Sequence, residues 1–336
     1  MHYRRIGLHR YCTIAAALFL IPLAPVSSGA SAAPAAIAQD PPIDHAHPAV
    51  GAGLQFTSHG KRVNAMLYLP AGAGPHPAVI LLHGLPGNEQ NLDLARAMQR
   101  AGWAVVTFHY RGSWGSGGTF ALGGGCDDVD ALLRENSSHA GRRKWDIDSQ
   151  RMVVIGHSYG GFVAACAARR HPELTAVGLL APWDISYDAV SFSKLSERDA
   201  RARAPSIFND VDGRLTGANA QLLMQAIRTE GRSFTLTGAT SALSRRPVLL
   251  ATATRDDPDD QAADLHAALA KMPTAHLTYR LFDTDHGFDD QRIGLETYVL
   301  NWLATLPAAP ARRLGARAQT SELRALEALS DHVPFA

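Results

Sequence analysis

Short apolar runs bounded by Gly, Pro and Asp recur along the chain, and stretches with helical spacing alternate with them. Leu54 to Thr57 and Val63 to Leu69 read as a strand pair turning at Gly60, and Pro77 to Leu82 as a third, buried strand. From Glu89 to Arg100 the apolar positions Leu92, Ala95 and Met98 keep helical spacing, and Gly102 ends the helix. Trp103 to Tyr110 is the next strand. A Gly-rich loop over 112–125 follows, then a helix from near Asp127, whose Asp127-Asp128 pair suits the positive end of a helix dipole. Met152 to Ile155, Val177 to Leu180, Pro247 to Thr254 and the alternating His276 to Phe282 complete the strands. Strands that alternate with helices predict an α/β class: a mostly parallel sheet with helices on both faces.

The alternation lapses between Pro182 and Arg246, where Trp183, Phe192, Phe208, Leu223 and Ile227 are scattered among charges. This reads as a helical cap insertion, about 183–245, that packs on the core and also forms much of a substrate pocket. Lys194, Arg198, Arg201 and Arg203 interleave with Glu197 and Asp199, the pattern of a solvated helix face rather than an anion trap.

The ends differ in composition from the middle. Arg4, Arg5 and Arg10 precede an apolar stretch from Cys12 to Leu23, well short of the roughly 20 residues a membrane span needs. With small residues at Ala30-Ser31-Ala32, residues 1–40 are expected to be a secretory signal peptide and leader, and an uncleaved anchor is the alternative. A single α/β domain is expected over 50–306, followed by an Ala/Pro/Arg-rich tail over 307–336 with a short helical pattern from Ser321 to Leu329. Export places the mature chain in the periplasm or outside the cell, with no stable membrane insertion. The formal net charge of +1 gives no nucleic acid footprint. The mature chain keeps two cysteines. In an oxidising compartment Cys126 and Cys166 could pair, but Cys166, two turns into a helix, reads instead as a small buried apolar residue. No Cys/His spacing suits a metal, and the Gly-rich loop lacks Gly-Lys-Ser/Thr, so no cofactor is expected and the loop is read as wrapping a site rim.

The chemistry concentrates at Gly156-His157-Ser158-Tyr159-Gly160-Gly161, between a buried strand and the small-residue run from Phe162 to Ala168. A Ser on a Gly-flanked strand-to-helix turn is a nucleophile elbow: the Ser backbone is strained, and Gly on either side leaves room for the tight approach. An ordinary turn with a capping Ser has the same local sequence. Three features decide against that. His83-Gly84-Leu85-Pro86-Gly87 follows a strand and offers a backbone amide, which must be that of Leu85 because Pro86 has none. Arg255-Asp256-Asp257-Pro258 follows a later strand, and Asp283-Thr284-Asp285-His286 follows the last. The resulting order Ser158, Asp256, His286 puts nucleophile, acid and base each at a strand's C-terminal end.

Over positions 53 to 305 these motifs resemble the α/β-hydrolase superfamily. Phe108-His109-Tyr110-Arg111-Gly112-Ser113-Trp114-Gly115 and the Ser-Tyr-Gly-Gly elbow are similar to bacterial serine hydrolases related to the prolyl oligopeptidase catalytic domain. The chain has no room for the β-propeller of the large peptidases. The resemblance implies Ser158 as nucleophile, His286 as base, Asp256 as the orienting acid, and an oxyanion hole from the N–H groups of Leu85 and Tyr159. Asp257, Asp259, Asp260 and Asp184 remain alternatives for the acid. His83 and His157 are expected to make structural hydrogen bonds, and the Tyr159 side chain reads equally as pocket wall or packing. The expected activity is a carboxylesterase on short to medium acyl esters. A small-peptide hydrolase comes next, and a non-catalytic binding protein of the same fold last.

Overall fold

Eight strands form one sheet in the computed structural model, which describes residues 34–137, 145–256 and 261–307. They are β1 Val50–Ser58, β2 Lys61–Leu69, β3 His76–Leu82, β4 Ala104–Phe108, β5 Ile147–His157, β6 Ala176–Leu180, β7 Pro247–Arg255 and β8 His276–Asp285. In space they run β1-β2-β4-β3-β5-β6-β7-β8. The β1–β2 and β2–β4 pairs are antiparallel and every later pair is parallel. All the expected strands are present, with different ends. β5 begins at Ile147 rather than Met152, and β8 continues past Phe282 to Asp285. Backbone pairing accepts polar side chains where a strand leaves the core, so an apolar run marks only the buried middle.

Side chains alternate across this sheet because the strand period is two. Val79, Leu81, Val153, Ile155 and Leu249 face one core with Leu94 and Met98 of α2 (Leu92–Arg100) and Leu295 and Val299 of α10 (Arg292–Thr305). Ile80, Leu82, Val154, Val177 and Leu250 face the other, against α3 (Gly124–Ser137), α4 (Tyr159–Arg170) and α9 (Ala263–Ala270). Each fully buried aliphatic side chain stabilises the fold by about 1.5–3 kcal/mol.

Two helix starts differ from expectation. α2 begins at Leu92 rather than Glu89, because Asn91 adopts a left-handed φ of 55° and its N–H donates to the Glu89 carboxylate. α3 begins at Gly124, before Asp127, and presses close to α4: a Cβ on Gly125 would lie 2.8 Å from Val163 Cγ2. That approach corrects the reading of Cys166 as merely a small buried residue. Cys126 and Cys166 are disulfide-bonded, with Cα atoms 6.1 Å apart, and join α3 to α4.

The insertion between β6 and β7 is helical: α5 (Ile185–Ser193), α6 (Glu197–Ile207), α7 (Ala220–Glu230), two short 3-10 turns and α8 (Thr240–Leu243). Asp184, Ser196 and Asn219 each cap a helix by accepting from a backbone N–H two or three residues on. The expected solvated face lies on α6, where Arg201 pairs with Glu197 at 2.8 Å, both exposed. A four-residue helix α1 (Ala35–Ala38) precedes the sheet. Most of the expected leader over 1–40 and nearly all of the tail over 307–336 lie outside the described residues. Among the described residues, no helix is long and apolar enough to cross a membrane.

Candidate active site

Strand β5 ends at His157, and Ser158 turns the chain into α4 with φ 56° and ψ −121°. A residue with a Cβ rarely adopts such angles, and the surrounding contacts hold it there. Ser158 N–H donates to Leu180 O at 3.0 Å, and Gly161 N–H and Trp183 N–H donate to Ser158 O at 2.8 and 3.0 Å. The glycines are sterically required. A Cβ on Gly156 would stand 1.9 Å from Gly160 O, and one on Gly160 would stand 2.3 Å from Leu82 O. The elbow therefore lifts Ser158 to the carboxyl edge of the sheet, where it lines the walls of two adjoining cavities.

His286 follows β8 and also lines both cavities. Its Nδ1 lies 2.8 Å from each carboxylate oxygen of Asp256, the residue after β7. With Nδ1 donating to that carboxylate, the imidazole presents Nε2 as its lone-pair nitrogen. Among the described residues the His286 ring bonds Asp256 and not Ser158 Oγ, a looseness common before substrate binds.

Asp184, an alternative acid, is buried elsewhere. Its carboxylate accepts from Ser186 N–H, Ser186 hydroxyl and Leu236 N–H, so it ties α5 to the 3-10 segment rather than facing His286. Asp257, Asp259 and Asp260 lie outside the described residues.

The two motif histidines are structural partners. His157 Nε2 donates to His286 O at 2.8 Å and so holds the backbone of the neighbouring imidazole. Burial, with the nearby His286, pushes its pKa down to about 4. His83 Nδ1 bonds Gly84 O at 2.6 Å beneath the Leu85 loop, and burial lowers its pKa to about 4 as well. Both rings are therefore neutral near pH 7.

Of the two residues whose amides were expected to form an oxyanion hole, Leu85 lines both cavities beside Ser158 and Tyr159 follows Ser158 as the first residue of α4; neither N–H has an acceptor among the described residues. Gly84 permits the approach of the first loop, since a Cβ there would be 3.0 Å from Ser158 Cβ. The Tyr159 side chain packs: it is fully buried, its hydroxyl donates to Leu122 O at 2.7 Å, and its ring meets Tyr110 edge-on. Burial pushes that hydroxyl's pKa well above its ordinary value.

A model of the alpha/beta hydrolase fold matches residues 77–275, more than half of the chain. The chain belongs to the α/β-hydrolase family. Over 124 residues the hydrolase is 33% identical to the sn-1-specific diacylglycerol lipase ABHD11 of Xenopus tropicalis. That match covers 35% of this chain and 35% of the relative, so it spans about a third of the relative's length. Among solved structures, the hydrolase superposes on the acylaminoacyl peptidase of Pyrococcus horikoshii with a TM-score of 0.57 at 17% identity, covering 78% of this chain and 42% of that one. Est1E of Butyrivibrio proteoclasticus, solved with ferulic acid bound, gives 0.57 at 17%, covering 75% and 97%. At such identities the likeness is one of fold.

One cavity beside Ser158 in the hydrolase has a volume of about 320 Å³ and apolar walls that include Leu85, Trp183, Ile207, Phe208 and Val211. The other, about 420 Å³, has mixed polar and apolar walls along the Leu85–Glu89 loop with Asp289, and Asp210 lines both cavities. Sequence reasoning placed Phe208 in the cap but could not assign it, Asp210 or Val211 to the cavity wall, because the α6–α7 connection carries no periodic signal. Among the described residues, no group of three His, Cys, Asp or Glu side chains could hold a metal ion.

Proposed function

We propose that this chain is an exported serine hydrolase that cleaves carboxylic esters of short to medium acyl chains through an acyl-enzyme on Ser158. The observation that carries the reading is the contact of His286 Nδ1 with both Asp256 oxygens at 2.8 Å, on a wall shared with a Ser in an elbow conformation. With Nδ1–H committed to Asp256, Nε2 is the nitrogen able to take the Ser158 proton as Oγ attacks the substrate carbonyl carbon. The carbonyl π electrons move to oxygen, and the Leu85 and Tyr159 N–H groups stabilise that oxyanion. Collapse breaks the bond to the alcohol, which leaves with the proton from Nε2. Water then gives a proton to the same nitrogen as it attacks the acyl carbon, and collapse breaks the bond to Ser158 Oγ, which takes that proton back from Nε2 as the acid leaves. His157, neutral and bonded to His286 O, keeps the base in place without adding charge.

The ester reading is supported by the bounded apolar cavity, which suits an acyl chain of limited length. The partial match to a diacylglycerol lipase agrees with ester chemistry. Esters also need less leaving-group protonation than amides. Export is supported by the apolar Cys12–Leu23 segment and by the Cys126–Cys166 disulfide, since disulfides persist in oxidising compartments. The test compares p-nitrophenyl butyrate, p-nitrophenyl laurate and an aminoacyl-proline anilide at matched enzyme and pH. The butyrate should give the highest kcat/KM. A largest value for the anilide would replace the esterase reading with the peptidase one.

A further inference from the structure

Trp114 stands in the Gly-rich loop with 41% of its surface exposed and a left-handed φ of 47°, an uncommon backbone for a bulky residue. Such strain persists only where surrounding contacts over-determine it. The contacts here run in two directions. On one side the indole Nε1–H donates to Pro86 O at 2.6 Å, the only hydrogen bond to that carbonyl among the described residues. On the other side the loop is laced to the cap. Trp114 N–H donates to Arg214 O at 3.4 Å, Ser113 and Leu215 form a β-bridge, Thr216 N–H donates to Gly112 O at 2.6 Å, and Phe120 N–H donates to Thr216 O at 2.9 Å. The cap also meets the Leu85–Glu89 loop directly, through Asn88 Nδ2 donating to Asp210 Oδ2 at 3.2 Å.

Pro86 is the residue after Leu85, whose amide the mechanism places in the oxyanion hole. The Pro86 carbonyl lies in the Pro86–Gly87 peptide plane and the Leu85 N–H in the Gly84–Leu85 plane two units earlier; with Pro86 φ locked by its ring, the Trp114 bond anchors the C-terminal end of the short segment that carries the Leu85 N–H and so limits how far that amide can swing. The neighbouring residue makes this possible. A Cβ on Gly87, where φ is 105°, would lie 2.8 Å from the indole Nε1 and 2.7 Å from His83 Cε1. The indole itself lines neither cavity beside Ser158, so a substrate-contact role does not account for it. We propose that Trp114 is a positioning residue for the oxyanion hole: its indole N–H, anchored through a backbone laced to the cap, holds the Leu85–Pro86 segment so that the Leu85 amide stays aimed at the developing oxyanion. The inference rests on the serine-esterase reading above. It adds that the cap contributes to transition-state stabilisation through Trp114 as well as walling the pocket.

The test is Trp114→Phe in the full mature chain, which removes the N–H and keeps a ring beside His109. Active sites are titrated to completion with a fluorophosphonate, so that misfolded protein does not enter the rates, and p-nitrophenyl butyrate turnover is measured per titrated site. Loss of one oxyanion-hole donor typically lowers kcat by about 10²–10³, so a misaimed donor should lower it by about tenfold with KM within twofold of wild type. The rate of fluorophosphonate labelling, whose phosphoryl oxygen occupies the same hole, should fall in parallel. A fall of threefold or more in kcat per site at unchanged KM supports the proposal. A smaller fall, or a change confined to KM, overturns it and makes Trp114 a structural or substrate-wall residue. If wild-type protein shows no Ser158-dependent turnover, the functional reading fails instead, and the two failures are told apart by that control.

Discussion

Asp256 and Asp184 are both carboxylates just beyond a strand end, and their hydrogen bonds give them different work. Asp256 meets His286, whereas Asp184 closes a buried cap with Ser186 and Leu236. Asp256→Asn should therefore lower kcat by about 10⁴-fold with little change in folding, since the amide cannot fix the productive tautomer. Asp184→Asn should keep kcat and lower the unfolding free energy by about 1–3 kcal/mol. Steady-state rates and urea melts on both variants check this, and the reverse pattern would move the acid's role to Asp184. Chain order alone admitted both residues; only the three-dimensional neighbours of each carboxylate separate them. A second residue-scale consequence concerns pH. His83 and His157 have folded pKa values of about 4 against an ordinary 6.5. Between those values the unfolded chain binds more protons, so their contribution to stability is complete above pH 6.5 and drains away as pH falls toward 4. Each ring accounts for about 3 kcal/mol at the acid limit. The urea midpoint should drop between pH 7 and 4.5, and a flat midpoint across that range would contradict the buried, neutral assignment.

At the scale of elements, strands and helices were legible because buried runs and helical spacing survive in one dimension. Their partnerships were not. Cys166 reads as a small core residue from its own helix, and nothing local says that glycines at the start of α3 let that helix close on α4. The Cys126–Cys166 bond spans a sequence separation of 40, for which the chain-entropy model gives an upper stabilisation of about 4 kcal/mol. The double substitution Cys126→Ala/Cys166→Ala should lower the denaturation midpoint while leaving turnover at 25 °C measurable, and non-reducing peptide mapping should recover the linked pair. Free thiols at both positions in protein recovered from an oxidising compartment would contradict the pairing. The connection between α6 and α7 was equally silent in sequence. Its apolar residues Phe208 and Val211, with Ile207 at the end of α6, wall the cavity from a segment without regular structure.

For the whole molecule, the fold class was readable because six strand-like runs interleaved with helices admit few architectures, and the strand order found here follows the switch from antiparallel β1–β2–β4 to the parallel strands. That topology brings residues 158, 256 and 286 to one edge, since parallel strands all end on the same side of the sheet. The proposed export is tested at the same scale: mass spectrometry of protein recovered outside the cytoplasm should find an N-terminus between about residues 30 and 40. Intact Met1 on membrane-held protein would show an anchor. All the proposed chemistry passes through Ser158. The most direct measurement is mass-spectrometric mapping of a fluorophosphonate adduct on wild-type protein and on Ser158→Ala, with ester turnover recorded for both. The predicted result is a single adduct on Ser158, and in the variant no adduct and a kcat lower by about 10⁴-fold or more. An adduct at another residue, or labelling and turnover that persist in Ser158→Ala, would contradict it.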